Sequence, residues 1–114
     1  MTPFEDLEIW KRSSRLSVAI YKYLHDCKES GFKDQITRTS LSVPCHIAAG
    51  FECNADKDAI KSFYDAKGSC GELRTQIYIG MELGYITKDI GPLWKNEAEQ
   101  LSKMLAALIQ SRTE

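Results

Sequence analysis

A chain of 114 residues supports one hydrophobic core and little more, so residues 1–114 are read as a single domain with no second one to seek. The 43% hydrophobic and 27% charged content is that of an ordinary globular protein, and a formal charge of −1 excludes the strong positive excess that by itself marks a nucleic-acid binder. No apolar run approaches the ~20 residues needed to cross a bilayer, no signal-peptide pattern is visible, and Cys27, Cys45, Cys53 and Cys70 lack CxxC spacing. The expectation is a protein of the reducing cytoplasm with free thiols and no membrane partner.

The opening Thr2-Pro3-Phe4-Glu5 reads as a helix start, with Thr2 as cap, Pro3 in the first turn and Glu5 as the capping-box acid. The first helix is predicted to run to about Cys27. KESG follows, where Gly31 is expected to take a positive φ and break the pattern before a second helix from about Lys33. Asn54 to Asp56 supplies the next cap and acidic turn for a long third helix, Lys57 to Leu83, with Gly84 as its stop. Thr87 and Asp89 open a fourth helix reaching Ile109. Four helical segments with short polar links and no alternating strand pattern predict an all-α, antiparallel up-and-down four-helix bundle.

A rotation of ~100° per residue gives the first helix two apolar stripes: Leu7, Trp10, Val18 and Tyr21 on one side, and Ile9, Leu16, Ile20, Tyr23 and Cys27 on the other. A bundle helix needs only one buried stripe. The stripe of Ile9, Leu16, Ile20 and Tyr23 is therefore expected to be covered by another copy of the chain. The fourth helix has one broad face, Ile90, Trp94, Ala98, Leu101, Leu105 and Leu108, backed by Lys95, Glu99, Lys103 and Gln110. In the third, Phe63, Ala66, Cys70, Leu73, Ile77 and Met81 form the main stripe, and Ile60, Tyr64, Gly71 and Tyr78 a second. Gly68, Gly71 and Gly80 each weaken a helix by ~1 kcal/mol relative to Ala, so another backbone is expected to approach there.

Around Pro44 the helical period survives: Ile36, Val43, Ile47 and Gly50 keep to one side, Leu41, Cys45 and Ala48 to another. The second helix is therefore predicted to continue through Pro44 with a kink. Ser40 and Ser42 are placed to help satisfy the backbone that the proline frees.

The segment LSVPCHIAAGF resembles the signature, approximately VSIPSNIAEGF, of the 23S rRNA intervening-sequence protein family. The resemblance extends through FEDLEIWKRS at 4–13, QITR at 35–38, GSCGELRTQI at 68–77 and MELGYI at 81–86. It implies an antiparallel four-helix bundle that assembles into a ring-like homopentamer, with no established enzymatic activity. Gln35, Arg38, Ser42, Pro44, Ile47, Ala48 and Gly50 match the family pattern in the second helix, and Gly68, Ser69, Glu72, Leu73 and Gln76 match it in the third. The chain departs at His46, where the family usually has Asn, and at Ala49, where it usually has Glu. The matched positions suggest a charge pair between Arg38 and Glu72.

The residue spacings offer little catalytic chemistry. His25, Cys27, Cys45, His46, Cys53 and Cys70 form no recognised zinc arrangement. Cys45 and His46, adjacent on a helix, point ~100° apart and do not make a nucleophile–base dyad. GSCGE at 68–72 lacks the second glycine and the strand-turn-helix context of a nucleophile elbow, and no glycine-rich phosphate loop is present. No cofactor, metal or small-molecule substrate is expected. Lys11, Arg15 and Lys22 share a narrow face of the first helix, a patch that repetition around an oligomer would multiply into a surface for RNA. The reading is a non-catalytic homo-oligomeric scaffold, pentameric by the resemblance, that binds RNA or a ribonucleoprotein. A protein-interaction adaptor without nucleic-acid binding is the alternative.

Overall fold

Leu7, extended at φ −87° and ψ 135°, divides the opening of the chain into a 3-10 turn at Phe4–Asp6 and helix α1 at Glu8–Tyr23. The computed structural model describes residues 3–113, so the capping role expected of Thr2 lies outside the described residues. Three further helices follow: α2 at Ser30–Glu52, α3 at Asp56–Glu82 and α4 at Gly91–Arg112. Each packs antiparallel on the next, and α4 closes back on α1. Arg12 meets Glu97 and Gln100, Ser17 meets Ser40, Ser42 meets Ser69 and Arg112 meets Asp56. This is the expected up-and-down four-helix bundle.

Several expected boundaries shift for local reasons. α1 stops at Tyr23 and not near Cys27, because Leu24–Asp26 turns back through bonds from His25 N–H to the Lys22 carbonyl and from Cys27 N–H to the Leu24 carbonyl. Gly31 does not break the chain: it sits in the first turn of α2, and Gly84 is the described glycine with positive φ, at 79°. At Gly84 the Tyr85 N–H bonds the Gly80 carbonyl at 2.8 Å and the Gly84 N–H bonds that of Met81 at 3.1 Å, the paired bonds of a Schellman stop. α4 starts at Gly91 with Pro92 in its first turn, where a missing N–H costs nothing.

α2 passes through Pro44, which is buried, and remains helical to Glu52. The hydroxyls of Ser40 and Ser42 donate to the carbonyls of Thr37 and Thr39, at 2.9 and 2.6 Å. They do not serve the Ser40 carbonyl that the proline leaves without its helical donor, so that expectation is corrected.

The core is continuous along the bundle. Phe63, Ile36, Ile47, Leu73, Ile77, Leu101 and Leu105 are fully enclosed, and Gly50 makes room for Phe63: a Cβ at that position would overlap the Phe63 ring. α1 contributes Ile9, Leu16 and Ile20, at 7%, 6% and 0% exposure, together with Leu24. These side chains are sealed by the chain's own fold, which overturns the expected oligomer interface of Ile9, Leu16, Ile20 and Tyr23. Tyr23 remains partly exposed, yet its ring packs edge-on against Trp94 at 5.1 Å and its hydroxyl accepts the Thr87 N–H at 3.0 Å. The stripe left outside is the other one, where Val18 and Tyr21 are 51% and 45% exposed. Leu7 and Trp10, at the same helix's start, are half-buried.

Candidate interaction surface

The positions carried by the sequence motif fall into an internal group and a surface group. Beside the internal group, and outside the motif, Ser17 and Ser40 meet at 3.1 Å between α1 and α2. Internally, the Ser42 and Ser69 hydroxyls meet at 2.8 Å between α2 and α3, and Gln76 Nε2 donates to Thr39 Oγ1 at 3.0 Å one turn away. Pro44, Ile47 and Gly50 are buried beside this line, and Gly50 and Phe63 fix how closely α2 and α3 approach. Small hydroxyls that satisfy one another let two helices pack tightly without leaving a polar group unpaired. The Gln76 side-chain oxygen is an exception, buried without a partner. On the surface, Gln35, Arg38, Gly68 and Glu72 are exposed. Arg38 and Glu72 do not pair: the described ion pairs are Arg12–Glu97 and Arg112–Asp56. Lying on neighbouring helices was not enough to bring those two charges together.

The three cations expected to meet nucleic acid remain on the outer side of α1. Arg15 and Lys22 are exposed and Lys11 is half-buried. Val18 lies at helical spacing among them, and Tyr21, one turn further, faces α2. There Tyr21, His25, Lys33, Asp34, Thr37, Arg38 and Leu41 line a shallow groove of about 350 Å³. Leu41 is 46% exposed, and Cys45, a turn beyond it, is exposed too. The surface is thus an apolar strip from two helices bordered by arginine and lysine. Sequence reasoning missed the strip because it counted Val18 and Tyr21 as core. The serines at 13 and 17, buried on the opposite side of α1, were the signal that the core lay there.

Arg12, at the edge of α1, clamps α4. Its guanidinium reaches both Glu97 oxygens, at 2.6 and 2.9 Å, and Gln100 Oε1 at 2.6 Å. The hydrogen bond and the opposite charge hold the Glu97 carboxyl below the usual carboxylate range. At the far end of the bundle a cleft of about 650 Å³ opens between the 3-10 turn and the α2–α3 link. Among the described residues that line it, the one cation, Arg112, is already engaged, stacked 5.6 and 5.5 Å from the Phe51 and Phe63 ring centres and 3.5 Å from Asp56. Cys45 is exposed and His46 half-buried, consistent with side chains that diverge. Burial pushes the Cys70 thiol up to about 11, so it stays protonated at neutral pH.

A family model described as 23S rRNA-intervening sequence protein matches residues 5–107. The chain belongs to this family. Among solved structures, the bundle is similar to a crystal structure of a protein of unknown function from the S23 ribosomal protein family of Bacteroides thetaiotaomicron. That match has a TM-score of 0.83 and 23% identity, and covers 89% of this chain and 97% of that one. At that identity the likeness speaks to the fold. Comparison with curated proteins finds no match. Within this member of the 23S rRNA-intervening sequence protein family, Ser42, Pro44, Ile47, Gly50, Ser69 and Gln76 hold α2 against α3, while Arg38, Gly68 and Glu72 face outward. No described helix is long and apolar enough to cross a membrane.

Proposed function

We propose that this protein is a non-catalytic helical scaffold that works as a homo-oligomer and holds RNA or a ribonucleoprotein. The observation that supports it is the face of α1 and α2 on which Val18, Tyr21 and Leu41 stand half exposed, bordered by Lys11, Arg15, Lys22 and Arg38. Large apolar side chains in one strip favour a partner surface. The cations at its border give each copy a small positive edge, and phosphate contacts add across copies through counterion release even though one chain carries a charge of −1. A pentamer is the assembly that fits the family resemblance.

Light scattering on the purified protein tests the assembly, with a single-chain mass at high concentration counting against it. RNA binding followed through a salt series tests the partner. Neutralising Lys11 and Arg38 together is expected to weaken binding and to flatten the salt slope by about 0.7 for each single-strand phosphate that is no longer neutralised. The exposed apolar strip also favours a second reading, an adaptor that holds a protein. Binding to a protein partner that persists in high salt, with no RNA bound in low salt, would select it.

A further inference from the structure

The outer faces of α1 and α3 carry matching patterns of opposite character. On α1, Arg15 and Lys22 stand seven residues apart, about 10.5 Å along the axis, with Val18 exposed between them. On α3, Asp65 and Glu72 stand seven residues apart, with Gly68 exposed between them. None of these four charges forms an ion pair with another described residue. A Cβ built on Gly68 or on Gly71 meets nothing within 4 Å, so the close approach expected at these glycines is not made by the chain itself. At Gly80, by contrast, Phe32 and Ile86 fill the space.

We propose that α1 of one copy docks antiparallel along α3 of a second copy, with Arg15 opposite Glu72, Lys22 opposite Asp65 and Val18 seated over Gly68. The occupant is set by charge complementarity in one register. When Arg15 is level with Glu72, Lys22 falls level with Asp65, again as opposite charges. Antiparallel pairing also puts Val18 and Gly68 on the same side of the two charge rows, within one residue's rise of each other, whereas parallel pairing puts them on opposite sides. A glycine inside a helix costs stability relative to alanine, and room for a neighbour's side chain is a physical return for that cost. Because the two surfaces differ, the contact is head-to-tail: every copy donates α1 and receives on α3, and the chain of contacts closes into a ring when the rotation permits. The inference rests on the self-associating scaffold proposed above and names its surfaces. It draws Arg15 and Lys22 into the contact and leaves Lys11 and Arg38 as the cations free for RNA.

The experiment is light scattering at low salt on the full chain and on Arg15→Glu, Glu72→Arg, the double exchange and Gly68→Gln, with circular dichroism to follow the fold. Each single reversal is expected to lower the mass towards the 12.9 kDa of one chain, and the double exchange to restore it. Gly68→Gln is expected to dissociate the assembly while raising the Tm of the single chain. Single reversals that leave the mass intact, or a double exchange that stays dissociated, overturn the docking and leave the scaffold reading standing. Reversals that abolish RNA binding at unchanged mass would give the α1 face to RNA and also overturn the docking. A wild-type chain that is monomeric at high concentration overturns both.

Discussion

The seam between α1, α2 and α3 and the outer face of α1 invert the ordinary rule of polar outside and apolar inside. The seam is polar and internal: Ser13, Ser17, Ser40 and Ser69 are all buried, and the serine pairs satisfy each other across the helices. The outer face is apolar and external, with Val18, Tyr21 and Leu41 in solvent. Side-chain size accounts for the seam. A serine there gives up water but gains a partner, and it is small enough for two helix backbones to come together around it. The outer face has no such compensation within one chain, and for that reason it reads as a contact surface.

The sharpest way to break the comparison is to place the same charge on both sides of α1. Ile20→Glu puts a carboxylate at a fully enclosed position, and its cost is of the order of the whole stability of a domain, so the chain is expected to lose its cooperative thermal transition. Val18→Glu, at a half-exposed site, is expected to change single-chain stability by less than about 0.5 kcal/mol. Circular dichroism melts on the pair decide this, and equal melts would mean that the two stripes had been assigned to the wrong sides. Next in size is Gly50→Ala. Its new methyl group meets the Phe63 ring where α2 and α3 are closest, and repacking is expected to cost about 1–3 kcal/mol by urea unfolding.

These positions also show what was legible in the sequence. The number and order of the helices followed from periodicity, as did the inward face of α4, where Trp94, Ala98, Leu101 and Leu105 are buried. The inward side of α1 did not. A helical wheel shows two stripes without showing where the other three helices stand, and Ser13 and Ser17 weighed as polar although each is buried with a hydrogen bond. Gly31 and Gly84 looked alike as stops, yet only at Gly84 do the flanking residues complete the pair of backbone bonds that needs a positive φ. The Arg38–Glu72 pairing failed for a third reason: matched motif positions place residues on neighbouring helices but do not fix the direction in which long side chains point.

A test of intermediate size sharpens the seam. Ser42→Ala leaves the Ser69 hydroxyl buried without its partner and is expected to cost about 1 kcal/mol. Ser42→Ala with Ser69→Ala removes both halves, and if the seam works by mutual satisfaction the double variant should cost less than the sum of the singles. A double-mutant cycle in urea reads the coupling directly, and strict additivity would reduce these serines to small residues that happen to touch.

An effect no larger than that of the seam concerns the other side of α1, where Arg12 ties α1 to α4. Glu97 has its folded pKa lowered by the Arg12 hydrogen bond, while in the unfolded chain it titrates near the usual ~4.3. A lowered folded value means that the unfolded state binds more protons as acid is added. The contribution is therefore fully present above the unfolded pKa and is lost as pH falls through the folded one. Both partners are a quarter or more exposed, so solvent screening keeps the pair to about 1 kcal/mol even with two-oxygen geometry. Arg12→Gln is expected to remove that amount at pH 7 and to lose less than wild type as pH falls from above the usual carboxylate range through the lowered folded value, so the two stability curves converge in acid. Parallel curves would show that Arg12 acts through its packing on Met104 and Gln100 and not through the Glu97 charge, which would make the α1–α4 side, like the seam, a matter of fit more than of charge.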